Sequence, residues 1–430
     1  MSNKETNGPV GQQAPSRLSQ DLITENHVQA ALTSDKGNDA QLLTWSVKDF
    51  TTKGDNYACI VTSIAVNYRQ GGEEKKVTYV AKCNPCRQML SFNKFTNVIF
   101  QKEAGFYTDL VPLLNDQLKR AGQQPLRVAP CYFFHLEEDE EVIILGDLRP
   151  EGYKMFDRKK GMNKAHAVLV LRELGRLHAA SILLQHEISE DLGAKYTYLQ
   201  KDFHSFYEDA SADFVKMIGG AFTTAANMAG KIDGYEKVAS WLRDFGPKSM
   251  DGLAQQLENS PPFDVLCHGD SWNNNILFRY DEQGLPVDVR LLDFQICRKA
   301  SPATDLNYFM YTSFNGDDRK DNLDVFINTY FDSVKKVMEA GGAGVGFTVQ
   351  ELRQEYHKKN LFGLIMAMMV VPLVVSEGAD VMDLDSPIED MDKFMKEHQE
   401  KVSQELDNNP LLRPRLLAIF DDMVEYGIIS

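Results

Sequence analysis

Three polar residues surround a short predicted hairpin in the second half of the chain. In HGDSWNNNILFRY, Asp270 stands five positions before Asn275, and an apolar strand follows at once. A turn, EQGLP, and a second strand, VDVRLLDF, then lead to Asp293. Because antiparallel pairing sets the start of one strand beside the end of the other, Asn275 and Asp293 are predicted to lie side by side near Asp270.

These residue types suit phosphoryl transfer with a divalent cation. Mg²⁺ prefers oxygen ligands and usually keeps waters and substrate phosphates for its remaining positions. The reaction also needs a carboxylate that accepts the proton of the attacking hydroxyl. We therefore predict Asp270 as the base and Asn275 and Asp293 as the metal ligands, while Asn273 and Asn274 are expected to shape the loop through hydrogen bonds. Polar residues around a hairpin also cap and turn chains, so a purely structural role stays open at this point.

The first half of the chain offers an independent cation. Lys82 stands at the end of a predicted strand, VTYVAKC, and Glu103 lies within the amphipathic helix that follows. A pair between them would aim the ammonium at the phosphates of a nucleotide, whereas an unpaired Lys82 would be an ordinary solvated edge residue. A turn-rich loop, TTKGDNYA, precedes the second strand and is predicted to lie over those phosphates. Its central residues are Gly54, Asp55 and Asn56.

Two segments of different character must position these residues. Residues 44–83 are predicted to form a β-meander, followed by a helix and two further strands. After Pro150 the pattern becomes helical, and only one strand-loop-strand segment interrupts it. A ligand cleft is expected between the two lobes. The expected divisions are a disordered tail over 1–20, a nucleotide-binding lobe over 21–148, and a lobe with the catalytic loop and acceptor pocket over 149–430.

The composition excludes several classes of protein. The 430 residues carry a formal net charge of -16, which argues against a nucleic-acid partner because phosphate contacts need clustered Lys and Arg. Six scattered cysteines favour a reducing compartment, and the polar amino terminus has no leader pattern, so we expect a cytoplasmic protein. The strongest apolar run, residues 361–375, contains Pro372 and is shorter than the roughly 20 residues of a spanning helix. We predict a buried helix and no membrane span.

Four motifs carry a resemblance to a known family. HGDSWNNNIL, LLDFQ, GDNYA and the LHAAS of a long helix resemble the ecdysteroid kinase-like family, also called the CHK kinase-like family. That family lies within the aminoglycoside and choline kinase branch of the protein-kinase-like fold. The resemblance implies an α+β fold with a small, mainly antiparallel β lobe carrying one main helix, and a larger, mainly α lobe. It also implies ATP and Mg²⁺, and transfer of the γ-phosphoryl group to a hydroxyl of a small molecule.

The resemblance assigns the same roles position by position. Asp270 matches the catalytic base, and Asn275 and Asp293 match the metal ligands. Lys82 and Glu103 match the lysine that meets the phosphates and its carboxylate partner.

The resemblance also implies a hinge that meets adenine through backbone groups. The matching residues are Leu145, Gly146, Asp147 and Leu148. Family members commonly carry an acidic residue where this chain has Gly146, so the hinge geometry is expected to differ. Asp305, in SPATDLNYF, matches a position that supports the catalytic loop.

The acceptor and the oligomeric state stay open on sequence grounds. Members of the family are associated with steroid hormones and xenobiotic alcohols, and the apolar segments YFMYTSF and LFGLIMAMMVVPLVV suit such an acceptor or an ordinary helix core. Trp272 is predicted either to wall the acceptor pocket or to pack the loop. His178 and His268 are expected to be hydrogen-bonded structural residues.

The sequence supports three alternatives to this function to different degrees. A protein kinase is disfavoured because SPATD follows Asp293 after about ten residues, which leaves little room for an activation segment. A choline- or aminoglycoside-type kinase with a polar acceptor stays open. So does a nucleotide-binding pseudokinase that acts through a partner, although all five charged or polar site positions are intact.

Overall fold

The computed structural model describes residues 19–50, 59–86, 90–200, 203–376 and 391–430. Most of the predicted tail lies outside these ranges. The predicted phosphate loop, with Gly54, Asp55 and Asn56, also lies outside the described residues.

The first part of the chain is built on a five-stranded antiparallel sheet with the spatial order β1-β2-β3-β5-β4. Its elements are α1 (Glu25–Lys36), β1 (Gln41–Asp49), β2 (Ile60–Gln70), β3 (Glu73–Cys83), α2 (Leu90–Gly105), a π-helical turn (Phe106–Leu110), α3 (Val111–Arg120), β4 (Cys131–His135) and β5 (Val142–Gly146). The predicted meander, the helix after it and the two further strands are thus confirmed.

The β2–β3 hairpin places Lys82 in the middle of the sheet. Gly71 and Gly72 form a two-residue turn with φ values of 60° and 86°, a conformation that glycine adopts without strain. The resulting register pairs Lys82 with Val61 on one side and with Ile143 on the other. Side chains along β3 point alternately to the two faces of the sheet, so Lys82 lies on the opposite face from Ala81 and Cys83. These two neighbours pack into the core beneath α1.

α1 was not expected from the sequence. Thr24 caps it by accepting a hydrogen bond from the backbone N–H of His27. Only three of its residues are buried, Val28, Ala31 and Leu32, so its apolar stripe is too short to show as a clear helical period.

The second part of the chain is mainly helical. Its elements are β6 (Lys154–Met155), α4 (Lys164–Glu187), α5 (Leu192–Lys195), α6 (Phe203–Ala229), α7 (Glu236–Phe245), α8 (Ser249–Leu257), β7 (Val265–Cys267), β8 (Ile276–Tyr280), β9 (Pro286–Leu291), β10 (Arg298–Ala300), α9 (Pro302–Ser313), α10 (Gly316–Ala340), α11 (Val349–Lys358), α12 (Asn360–Val375), α13 (Met391–Asn408) and α14 (Leu412–Glu425). One hydrophobic core joins α2 and α3 to α4, the β8–β9 hairpin and α10, and a second lies among α6, α7, α8, α12 and α14.

The predicted hairpin between the metal-ligand candidates is present. β8 pairs with β9 so that Ile276 lies opposite Leu291. The next residues continue the ladder, because the N–H of Leu292 donates to the carbonyl of Asn275 at 2.9 Å. Asn275 therefore enters the hairpin beside the strand end that leads to Asp293.

The apolar run 361–375 forms α12, which is buried against α9 and α14, as expected. Among the residues that the structure describes, no single helix is long and apolar enough to cross a membrane. α11 and α12 together are long and apolar enough, but a bend of 51° separates the two helices.

Candidate active site

A cavity of about 320 Å³ lies between the amino-terminal sheet and the β8–β9 hairpin. Lys82, Asn275 and Asp293 line it together. Much of the remaining wall is apolar and includes Val61, Val80, Ala129, Leu145, Leu277 and Leu292. A cavity with mainly apolar walls, a cation and oxygen donors has the chemical character that the base and the phosphates of a nucleotide require.

Lys82 lies between two carboxylates. Its ammonium donates to Glu103 and, at 2.7 Å, to Oδ1 of Asp293. Burial by itself lowers the pKa of Lys82, but the carboxylates of Asp293 and Glu103 outweigh it and raise that pKa well above its usual range. Burial raises the pKa of Glu103 to about 7, against the opposing effect of Lys82. Lys82 is therefore a buried, ion-paired cation and not a solvated edge residue.

Asp293 follows the hairpin in an unusual backbone conformation. Its φ is 67°, in the left-handed region that residues other than glycine rarely adopt. Such a conformation is unfavourable by roughly 1 kcal/mol or more and tends to occur at functional sites. Here it falls on the residue whose carboxylate meets Lys82.

Asp270 is almost fully buried and is held at both carboxylate oxygens. Its Oδ1 accepts from the Tyr308 hydroxyl at 2.7 Å, and its Oδ2 accepts from the Asn275 amide at 2.8 Å. Burial and then the nearby charge of Asp293 raise the pKa of Asp270 to about 6, although the bonds from Tyr308 and Asn275 oppose the rise. A carboxyl with that pKa is largely ionised at neutral pH and is basic enough to accept a proton.

The three asparagines have three different surroundings. Asn275 donates through Nδ2 to both Oδ2 and the carbonyl of Asp270, which leaves its Oδ1 as the atom that could face a cation. Asn273 donates to the carbonyl of Phe156 at 2.9 Å and shapes the loop as expected. The same expectation is wrong for Asn274, whose side-chain nitrogen and oxygen are buried at the cavity wall without a hydrogen-bonding partner among the described residues.

Asp305 anchors the loop that carries Asp270. Its carboxylate accepts from the backbone N–H of His268 at 2.6 Å and of Gly269 at 2.9 Å, and it also meets His178 at 3.1 Å. Burial raises the pKa of Asp305, but its bond to His178 and the other partners outweigh burial, so the net shift is downward. Gly269 has a φ of 87°, and an added Cβ would lie 2.1 Å from the Ile296 carbonyl oxygen, so only glycine fits there.

The two histidines of this region are structural, as expected. His178 is fully buried and meets the Tyr330 hydroxyl at 2.9 Å through Nδ1. His268 accepts from the backbone N–H of Asp270 at 3.2 Å through its own Nδ1. Burial lowers the pKa of His268, which keeps its ring neutral and able to accept that bond.

Phe294 links α2 to the same loop. Its ring stacks on Phe106 with centroids 3.7 Å apart, and it contacts the His268 ring at 4.4 Å. Phe106 opens the π-helical turn that separates α2 from α3. The turn follows directly on α2, the helix that carries Glu103, so the aromatic stack ties that helix to the catalytic loop.

The hinge candidates all line the cavity, but their side chains differ in role. The carboxylate of Asp147 accepts from Thr78 at 2.7 Å and from the Arg149 guanidinium at 2.7 Å, so this side chain ties the hinge to β3. Burial raises its pKa, and the hydrogen bonds from Arg149 and Thr78 more than reverse that effect. Gly146 donates to the carbonyl of Pro130 at 2.8 Å, and an added Cβ would lie 2.7 Å from the Pro130 ring. A side chain at position 146 would therefore clash with Pro130.

Two aromatic residues complete the surroundings of Asp270. Trp272 is buried in the second core, which supports the prediction that its side chain packs the catalytic loop. Tyr308 was not singled out from the sequence, because YFMYTSF looks like an apolar helix face. A usable signal was its spacing: it lies three residues after Asp305 on a helix, and such residues share a face.

The sequence profile of the ecdysteroid kinase-like family matches residues 53–342, more than half of the chain. Two predictions are confirmed: the two-lobed, protein-kinase-like fold, and an enzyme that phosphorylates a hydroxyl group of a small molecule. The chain belongs to the ecdysteroid kinase-like family.

Solved structures that resemble the chain share little sequence with it. An ethanolamine kinase of Plasmodium vivax is 12% identical with a TM-score of 0.38, and the match covers 92% of this chain and 87% of that chain. The choline kinase LicA of Streptococcus pneumoniae is 14% identical with a TM-score of 0.35, covering 82% and 99%. A microcompartment-associated aminopropanol kinase is 11% identical with a TM-score of 0.37, covering 90% and 98%. No curated protein sequence matches the chain.

Proposed function

We propose that this kinase transfers the γ-phosphoryl group of ATP, together with Mg²⁺, to a hydroxyl of a small apolar alcohol such as an ecdysteroid or a xenobiotic alcohol. The observation that carries the proposal is that Lys82, Asn275 and Asp293 line the same largely apolar cavity and that Lys82 contacts Asp293 there. Asp270 is hydrogen-bonded directly to Asn275, so a base candidate adjoins the residues that would face the phosphates.

The nucleotide is proposed to lie in the cavity with its phosphates at Lys82. Backbone groups of residues 145–148 would meet the base, while the side chain of Asp147 is already engaged. We further propose residues 21–148 and 149–430 as the two lobes. The loop proposed to cover the phosphates, on sequence grounds alone, has Gly54, Asp55 and Asn56 at its centre.

Asn275 and Asp293 fit a magnesium ion by the chemistry of their donor atoms. Oδ1 of Asn275 is left over once Nδ2 is committed to Asp270, and the carboxylate of Asp293 lines the same cavity. Both are hard oxygen donors, as Mg²⁺ requires. Bound Mg²⁺ would supply positive charge to the phosphates, which is the main electrostatic need of phosphoryl transfer.

Each remaining residue has a defined task in this proposal. Asp270 would orient the acceptor hydroxyl and take its proton as the new O–P bond forms. Lys82 would hold phosphate oxygens, and Glu103 would hold Lys82. The choice of an ecdysteroid or a similar apolar alcohol as the acceptor rests on the family match.

A panel of acceptors tests the proposal. The purified chain would be incubated with ATP and Mg²⁺ and with steroid alcohols, xenobiotic alcohols, choline or an aminoglycoside, and the products examined by mass spectrometry for an added phosphate. Phosphorylated steroid or xenobiotic alcohol is the expected result. Phosphorylation of choline or the aminoglycoside alone would favour the polar-acceptor alternative. Nucleotide binding without any phosphorylated product would favour a pseudokinase.

A further inference from the structure

The carboxylate of Asp270 is fixed from two directions, and one of them comes from outside the catalytic loop. Asn275 holds Oδ2 from within the loop at 2.8 Å. Tyr308, on α9, holds Oδ1 at 2.7 Å, and its side chain is only 3% exposed. A buried hydroxyl that donates to an ionised carboxylate forms one of the stronger kinds of hydrogen bond in proteins.

α9 also contacts the catalytic loop through Asp305, about one helical turn before Tyr308. The side chain of Asp305 accepts from the backbone of His268 and Gly269, and its carbonyl accepts from the Ser271 hydroxyl at 2.9 Å. These bonds fix the path of the loop backbone. The Tyr308 phenol, three residues further along the same helix, reaches the reactive side chain itself.

The ring of Tyr308 is also packed against a neighbouring helix. Its ring makes an edge-to-face contact with Phe362 of α12, with centroids 6.4 Å apart. Burial and then the neighbouring Asp270 raise the pKa of the Tyr308 phenol well above its usual range, so the phenol keeps its proton and remains a donor. A rigid donor of this kind can restrict the carboxylate to one rotamer.

We propose that Tyr308 is a positioning residue that holds the carboxylate of Asp270 in the orientation needed to receive the acceptor hydroxyl. The proposal rests on the proposed function of Asp270 as the base. Each carboxylate oxygen can accept two hydrogen bonds, so one bond from Tyr308 and one from Asn275 leave room for the acceptor hydroxyl. With the phenol removed, the Asp270 carboxylate would keep only partners from its own loop, Asn275 and Trp272, and would rotate more freely.

The test compares Tyr308→Phe with Tyr311→Phe, a matched loss of one hydroxyl on the same helix. Tyr311 is 1% exposed and lies under the guanidinium of Arg319, away from Asp270. With ATP, Mg²⁺ and ecdysone as the acceptor probe, Tyr308→Phe is expected to lower kcat roughly 10- to 100-fold and to leave KM for ATP within about twofold. Tyr311→Phe is expected to keep kcat. A wild-type kcat in Tyr308→Phe would overturn the proposal.

A double-mutant cycle separates positioning from a general structural role. In an Asp270→Asn background, Tyr308→Phe is expected to cause little further loss of the residual kcat, because the group it positions is gone. An equal loss in both backgrounds would overturn the proposal.

A spectroscopic measurement needs neither turnover nor a folded Tyr308 variant. NMR of chain labelled at the tyrosine ring carbon that bears the hydroxyl is expected to show one buried tyrosine signal that shifts between the wild type and Asp270→Asn. Unchanged tyrosine signals would contradict the contact. If the signal shifts but wild-type chain phosphorylates no alcohol, the contact stands and the proposed function fails. If wild-type chain turns over and Tyr308→Phe matches it, only the positioning role fails.

Discussion

The ammonium of Lys82 donates to Oδ1 of Asp293 at 2.7 Å, although 211 positions separate the two residues in the chain. The contact joins the central strand of the amino-terminal sheet to the end of the β8–β9 hairpin. Glu103, from α2, meets the same ammonium. Three elements thus converge on one buried cation, and the cavity proposed to hold ATP opens beside it.

Lys82→Met is expected to lower turnover roughly 100-fold, because transfer would lose a cation placed against the developing negative charge. The measurement is the rate of ADP release with ATP, Mg²⁺ and an accepted alcohol. Lys76→Met is the matched control, since Lys76 is exposed on the same strand. An unaltered rate in Lys82→Met would count against the assignment.

Asp293→Asn and Asn275→Ala are each expected to lower magnesium-dependent turnover roughly 100-fold or more. Asparagine is chosen at position 293 because it tolerates the left-handed backbone there. Turnover would be measured across a magnesium titration. Asn273→Ala is the control: it removes a bond to the Phe156 carbonyl and is expected to lower stability by about 1 kcal/mol while keeping the magnesium dependence. A wild-type magnesium titration in Asp293→Asn would argue that Asp293 is not a ligand.

Gly146→Ala is expected to weaken ATP binding and to lower the melting temperature, because the new Cβ would press on Pro130 at the hinge. Overpacking of this kind destabilises by about 1–3 kcal/mol. The checks are the Kd for ATP and thermal unfolding. Gly344→Ala serves as the control, since no atom lies within 4 Å of its added Cβ. Equal behaviour of the two variants would show that the hinge tolerates a side chain.

His166 is expected to make the folded state sensitive to acid. Burial lowers its pKa to about 4 from a usual value of 6.5. As the pH falls between those values, the unfolded chain binds a proton that the folded chain does not, so the free energy of unfolding falls. This contribution is fully present above pH 6.5 and is lost towards pH 4.

Thermal unfolding against pH checks the expectation for His166. His166→Gln keeps a donor and an acceptor but cannot titrate in this range, so its melting temperature should fall less between pH 6.5 and pH 4 than that of the wild type. His186→Gln, at an exposed position, should follow the wild type. If the melting temperature of His166→Gln fell with pH as steeply as that of the wild type, His166 would not be the cause of the acid sensitivity.

Local patterns in the sequence were sufficient to predict the β8–β9 hairpin and the pairing of Lys82 with Glu103. Asn275 and the segment that leads to Asp293 meet because two adjacent strands must pair, and that follows from the turn between them. Lys82 needed a partner because it lies on an apolar strand, and the next helix supplied one.

Features that depend on tertiary packing were not predictable in the same way. The bond from Tyr308 to Asp270 exists because α9 packs against the loop, and no local period reports that packing. The π-helical turn at Phe106–Leu110 leaves an amphipathic pattern almost unchanged while it places Phe106 on Phe294. The need for glycine at position 146 becomes visible only once Pro130 lies beside it.

The central claim is that Asp270 is the base for phosphoryl transfer to an alcohol. The most direct measurement is the rate at which a phosphorylated alcohol forms, followed by mass spectrometry, in wild-type chain, Asp270→Asn and Asp321→Asn, an exposed control. Asp270→Asn is predicted to bind ATP with a Kd within about twofold of the wild type and to form product roughly 100- to 10,000-fold more slowly, while Asp321→Asn keeps the wild-type rate. Equal rates of product formation in Asp270→Asn and the wild type would contradict the account.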